Sequence, residues 1–93
     1  MTREAYDVRW SKPAHRAIAE RLPPGIAEAA IELVTGPLSA NPRRLGKALG
    51  EELVGIYSAR LARDWRVLYE IDEAAHAVVI LDIRHRAVAY RPH

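Results

Sequence analysis

The chain of 93 residues has no cysteine and only two lysines, Lys12 and Lys47. Without cysteine there are no disulfides and no thiolate metal sites, which accords with a reducing cytoplasm. No apolar run approaches the roughly 18 residues of a membrane span. The opening residues, MTREAYDVRW, lack the apolar centre of a signal peptide. A soluble, cytoplasmic protein with no membrane role is therefore expected. No repeat, low-complexity tract or linker divides the chain, so residues 1–93 are expected to form one domain. No two of the histidines have metal-ligand spacing, so neither a metal nor a cofactor is expected.

What is present suits a small folded domain. Hydrophobic residues make up 49% of the chain, which argues against disorder. The net charge is only +2, but its placement is uneven. From Arg84 onward there are three arginines and no acid, and NPRRLGKALG adds Arg43, Arg44 and Lys47. Acids are frequent in residues 20–32. A basic patch beside a more acidic rear suits a polyanion or an acidic protein partner, and equally an ordinary solvated surface.

AYDVRW alternates and predicts a first strand. SKPAHRAIAERL predicts a helix capped by Ser11, with Pro13 in the first turn and Ala14, Ile18 and Leu22 at helical spacing. PPG separates it from a second helix over GIAEAAIELVTG, with Ile26, Ala30, Leu33 and Val34 on one stripe. Gly36 and Pro37 are expected to end it. LVGIYSARL, DWRVLYEID and HAVVILDIRHR then read as three strands in an antiparallel meander, the last expected to be central. The predicted class is α+β: two N-terminal helices packed on a four-stranded, mainly antiparallel sheet, in the order β-α-α-β-β-β.

Strict alternation assigns the faces. Tyr57, Ala59 and Leu61, then Trp65, Val67, Tyr69 and Ile71, then Val79, Leu81 and Ile83 should meet the helices. The opposite face then carries Ser58, Arg60, Arg66, Leu68, Glu70, Ile80, Asp82, Arg84 and Arg86. Arginines converging on an uncovered sheet face are compatible with a solvated or partner-binding surface, paired with Asp82 and Glu70, or with chemistry on an anion.

NPRRLGKALGEELVGIYSARLARDWRVLYEID, followed by VVILDIRHRAVAYR, resembles the RelE/ParE superfamily of toxins from bacterial toxin–antitoxin pairs. The sharpest elements are G-K-x-L at residues 46–49, SAR at 58–60, RVLYEID and HRAVAYR. The resemblance runs over nearly the whole chain and implies a RelE-like fold. It also implies a metal-independent endoribonuclease that cuts mRNA in the ribosomal A site by attack of a ribose 2′-hydroxyl on the adjacent phosphate, inhibiting translation. An acidic RelB-like antitoxin would hold it in check.

Carried onto this chain, the resemblance places the phosphate-holding arginine at Arg66. Guanidinium matches two phosphate oxygens and keeps its charge at any relevant pH. Arg84, with Arg86 close by, falls where the leaving 5′-oxygen is stabilised. Tyr90 falls on the family tyrosine that stacks on a base or orients the nucleophile, a position simple ring packing also explains. Lys47, Ser58, Arg60, Arg63 and Arg86 are the expected RNA contacts. Well-studied members carry two lysines on the strand that leads into SAR; here those positions are Ile56 and Ser58. The general base falls to Lys47, in the loop entering that strand, or to His85, whose alternation puts it on the helix side. The turn LARDW is also one residue longer than usual and has no glycine. A gyrase-binding, ParE-like toxin and a catalytically weak, antitoxin-binding relative are the alternatives.

Overall fold

The computed structural model describes residues 5–50 and 53–89. Strand β1, Asp7–Trp10, leads into helix α1, Lys12–Arg16. The Ser11 hydroxyl caps this helix: it accepts the Ala14 N–H at 3.2 Å and donates to the Leu81 carbonyl at 2.7 Å, tying the helix start to the sheet. Pro13 sits in the first turn, where its missing N–H costs nothing. The helix continues as a wider, π-type stretch, Ala17–Arg21, and stops at extended Leu22 ahead of Pro23 and Pro24.

Helix α2, Pro24–Leu33, does not end at Gly36 and Pro37 as expected. It runs on through a second π-type stretch, Val34–Leu38, which contains Pro37. A wider turn relieves the clash that a proline ring brings to a regular α-turn, while Pro37 still supplies no N–H. The Thr35 hydroxyl donates to the Ile31 carbonyl at 2.6 Å, and that of Ser39 to the Thr35 and Gly36 carbonyls at 3.1 Å each. Continuation places Leu38 in the core, wholly buried.

The sheet has five strands, one more than expected. Strands β2 (Lys47–Ala48), β3 (Tyr57–Leu61), β4 (Trp65–Asp72) and β5 (Ala77–His85) join β1 in the order β1-β5-β4-β3-β2. β4, not β5, is central; β5 is interior, with β1 parallel to it on its outer side. The added elements lie in a segment expected to be loop: a short helix α3, Pro42–Leu45, and the edge strand β2. β3 also starts later than expected, because residues before it turn at Gly55, whose φ of 88° is one that side chains disfavour.

The helices cover one face. Ala14, Ala17, Ala30, Val34 and Leu38 pack against Ala59, Leu61, Val67, Tyr69, Val78, Ile80 and Ile83. Strict alternation fails in β5. Leu68 pairs with Asp82, but the next residue, Tyr69, pairs with Ile80, so Leu81 is an extra residue that bulges out of the ladder. On the N-terminal side of the bulge the faces are exchanged. Val78 and Ile80 are buried, while Val79 pairs with Glu70 on the open face; the expected placement of Val79, Leu81 and Ile80 is corrected accordingly. Beyond the bulge, Asp82 and Arg84 stand on the open face and Ile83 in the core, as expected.

Candidate nucleic-acid interface

Cross-strand pairing brings three arginines into one row. Arg60 of β3 pairs with Arg66 of β4, and Arg66 pairs with Arg84 of β5. Directly paired residues project to the same face. The adjoining row is Lys47, Ser58, Leu68 and Asp82, one from each of β2 to β5. Ser58 and Leu68 are 6% and 5% exposed, forming a buried floor below the cations. The helices lie on the other side of the sheet, so the arginine row is not beneath them.

The three arginines differ in their engagements. Arg84 is held: its Nε donates to Asp82 Oδ2 at 2.8 Å, and the two side chains are only 14% and 16% exposed. Arg66 folds over the hairpin, its Nη1 donating to the Trp65 carbonyl at 2.8 Å and the Arg63 carbonyl at 3.4 Å. Among the described residues, Arg60, Arg63 and Arg66 form no ion pair. The row is thus a cationic strip with one inner carboxylate.

The hairpin joining β3 to β4 is tight. Leu61 pairs with Trp65, leaving residues 62–64 as the loop, and Ala62 takes a left-handed φ of 52° where glycine would be unstrained. Arg63 is exposed in this loop. Arg86 lies just past β5; its N–H donates to the Asp64 carbonyl at 2.7 Å and its Nε lies 3.7 Å from Asp64 Oδ1.

Lys47 is not in a loop. It lies on edge strand β2, directly opposite Ser58, so it projects to the arginine side. Its placement depends on Tyr69, whose hydroxyl donates to the Pro42 carbonyl at 2.6 Å and would overlap any Cβ at position 46. Glycine at 46 therefore lets α3 and β2 close onto the sheet. Burial pushes the Tyr69 hydroxyl up to about 12.

His85 pairs with Trp65 and meets its ring edge-on, centroids 5.5 Å apart. Its Nδ1 accepts the Ala87 N–H at 3.2 Å. The structure therefore sets His85 on the side opposite Arg66 and Arg84. Tyr90 lies outside the described residues.

Sequence reasoning did not find Arg21. From the end of the first helical segment its Nη2 donates to Asp82 Oδ1 at 2.8 Å and to the Ile83 carbonyl at 3.3 Å. A second cluster lies apart from the arginine row. Glu73 accepts from the Tyr6 hydroxyl at 2.9 Å and from Arg43 Nε at 2.8 Å, and these two donors hold its carboxyl below the usual range.

A family model described as the ParE toxin of type II toxin–antitoxin system, parDE, matches residues 6–90. The chain belongs to the RelE/ParE toxin superfamily. This RelE/ParE toxin is 50% identical over 86 residues to Toxin RelE of Mycobacterium tuberculosis (strain ATCC 25618 / H37Rv), covering 92% of this chain and 87% of that one. Toxin RelG of the same strain is 45% identical over 86 residues, covering 92% and 97%. The toxin–antitoxin complex RelBE2 from M. tuberculosis contains a chain that matches with a TM-score of 0.81 at 44% identity, covering 89% of this chain and 93% of that one. A mutant E. coli toxin RelE in the free state shares the fold, with a TM-score of 0.75 at 16% identity over 92% and 88% of the two chains. Among the described residues of this RelE/ParE toxin, no helix is long and apolar enough to cross a membrane.

Proposed function

We propose that this toxin is a ribosome-dependent endoribonuclease that cuts mRNA in the A site without a metal. In this reading a ribose 2′-hydroxyl attacks the adjacent phosphorus and the 5′-oxygen leaves, so that a cyclic phosphate and a 5′-hydroxyl result. The observation that carries it is the row Arg60–Arg66–Arg84. Like charges set directly opposite each other destabilise a sheet. Three side by side on the uncovered face contradict the local rule, which is the mark of a site kept for an external anion.

Arg66 is placed to hold the scissile phosphate and the charge that grows on it; a donor in this role is worth about 3–4 kcal/mol, or roughly 10²–10³ in rate. Arg84 stabilises charge on the leaving oxygen, since a guanidinium is too weak an acid to give up its proton. Lys47 supplies the remaining cation of the face and is the candidate for accepting the 2′-hydroxyl proton. Arg60, Arg63 and Arg86 contact flanking phosphates, Ser58 lies on the floor and Tyr90 follows on the chain. An acidic RelB-like antitoxin is the expected partner, supported by the complex of the M. tuberculosis relative.

The deciding experiment is cleavage of mRNA on translating ribosomes by the wild type beside Arg66→Ala. Cut messages with the wild type and intact ones with the variant are expected. Intact messages with both rule the reading out. One observation favours a ParE-like, gyrase-directed toxin instead: Ile56 and Ser58 replace the strand lysines, and the row Arg60–Arg66–Arg84 contains no histidine, lysine or carboxylate to serve as a base. DNA-damage signalling with normal translation on expression would decide for it.

A further inference from the structure

We propose that Arg43 is a positioning residue for Lys47: by bridging Tyr57 and Glu73 it holds α3 and edge strand β2 to the sheet, and so keeps the lysine over the open face. This rests on Lys47 being the proton acceptor of the proposed cleavage. Arg43 lies on α3, shortly before Lys47 in the chain, and engages two separate elements. Its Nε and Nη2 each lie 2.8 Å from Oε2 of Glu73, which follows the end of β4. Its Nη1 donates to the Tyr57 hydroxyl of β3 at 3.1 Å.

β2 needs such a brace. Its ladder has two residue pairs, Lys47 with Ser58 and Ala48 with Tyr57, and so short a strand pair has little stability of its own. Tyr57 is thus both the residue opposite Ala48 and the side chain that meets Arg43. Its ring stacks on Tyr69, centroids 5.6 Å apart, and Tyr69 in turn holds the Pro42 carbonyl. The start of α3 is therefore tied to β4 through residue 42 and to β3 through residue 43. An exposed arginine–carboxylate pair alone contributes little. Here the carboxylate is already fixed: the Tyr6 hydroxyl donates to Glu73 Oε1 at 2.9 Å and to Oε2 at 3.1 Å, and the Tyr6 ring stacks on His76 at 4.0 Å. Tyr57 packs against the core beneath the helices, whereas Lys47 projects with Ser58 to the opposite face. Arg43 therefore acts on the cleavage through the placement of Lys47 and not by contact with RNA.

The test is a double-mutant cycle on A-site cleavage. Arg43→Ala is expected to lower kcat about tenfold through misplacement of Lys47, with KM near the wild-type value. Tyr57→Phe, which removes only the hydroxyl, should lower kcat in the same direction by less. In a Lys47→Ser background the Arg43→Ala effect should vanish, whereas in an Arg60→Ala background it should persist in full. An equal loss in both backgrounds, as general destabilisation would give, or no loss in the wild type overturns the proposal. Amide hydrogen exchange supplies a readout that needs no activity. The Leu49 N–H donates to the Ile56 carbonyl at 2.8 Å immediately after β2. In Arg43→Ala its protection should fall about tenfold while the amides of the β4–β5 ladder keep theirs. Unchanged protection at Leu49, or an equal fall across the sheet, overturns the proposal. A wild type that leaves ribosome-bound messages intact defeats the endoribonuclease reading, and with it the catalytic consequence of the brace, while exchange at Leu49 still decides whether Arg43 holds β2.

Discussion

Lys47 stands directly across the edge of the sheet from Ser58. Paired residues share a face, and neighbouring strands are about 4.8 Å apart, well within the length of a lysine side chain. A cation offered from position 47 therefore covers nearly the same part of the open face as one offered from position 58. Lys47→Ser is expected to lower A-site cleavage by about tenfold to a hundredfold, the range for loss of a positioned proton-transfer group. Adding Ser58→Lys to that variant should restore activity, because the charge returns one strand inward on the same row. If the double variant is no better than Lys47→Ser, Lys47 acts through β2 itself and not through the face.

Arg66 and Arg84 should separate in stability though both lie in the row. Arg66 donates only to backbone carbonyls of its own hairpin, so Arg66→Ala is expected to shift unfolding free energy by less than about 1 kcal/mol. Arg84→Ala strips the Oδ2 partner from a mostly buried carboxylate and leaves it to Arg21 and the Ile83 N–H, both on Oδ1. A cost of about 1–3 kcal/mol is expected. Urea unfolding of the two variants checks this; equal midpoints would show that the Asp82–Arg84 contact contributes nothing to the fold.

Tyr69 gives the alkaline limit of the fold. Its hydroxyl is neutral and hydrogen-bonded in the folded state, with a value raised from 10.0 to about 12. A raised folded value means stability that is complete below the unfolded value and lost as pH rises through the interval above it. Thermal midpoints should therefore fall between about pH 10 and 12, and Tyr69→Phe should remove this component of the fall while costing about 1 kcal/mol at neutral pH for the lost hydrogen bond. Gly46→Ala should be worse, since the added Cβ meets the Tyr69 hydroxyl and forces α3 and β2 off the sheet.

The hairpin beside the arginine row carries strain. Ala62 has φ of 52°, which costs an L-residue roughly 1 kcal/mol relative to glycine. Ala62→Gly is expected to raise stability by several tenths of a kcal/mol, the strain relief exceeding the added freedom of the unfolded chain. A fall in the denaturation midpoint would show that the Ala62 conformation is unstrained in this loop.

Much of this arrangement is legible in the residues, and the failures have definite causes. SKP marks the first helix because a serine hydroxyl and an early proline are local signals. YSARL and WRVLYEID alternate polar and apolar residues, so Arg60 and Arg66 are assigned correctly to one face. Residues 77–81, AVVIL, are all apolar, so a period of two has no polar marker before Asp82 from which to detect the bulge. β2 has only two residues and α3 only four, too short for any periodicity. Pro37 looks like a stop because a π-type turn leaves no mark in composition. Arg21 and Asp82 meet across 61 positions, and nothing local in either segment announces it.

Salt dependence tests the open face without requiring catalysis. Each arginine–phosphate contact releases condensed counterions, and for single strands log K falls with log salt by about 0.7 per contact. Three contacts from Arg60, Arg66 and Arg84 predict a slope near −2 for a short oligoribonucleotide. Arg60 is exposed and forms no ion pair among the described residues, so Arg60→Ala should lower the slope by about 0.7 and leave the fold intact. Arg43, which is bound to Glu73 away from the row, serves as the control: Arg43→Ala should leave the slope unchanged. If Arg43→Ala lowers the slope as much as Arg60→Ala does, binding is spread over the whole basic surface, and the row has no special claim on the phosphates.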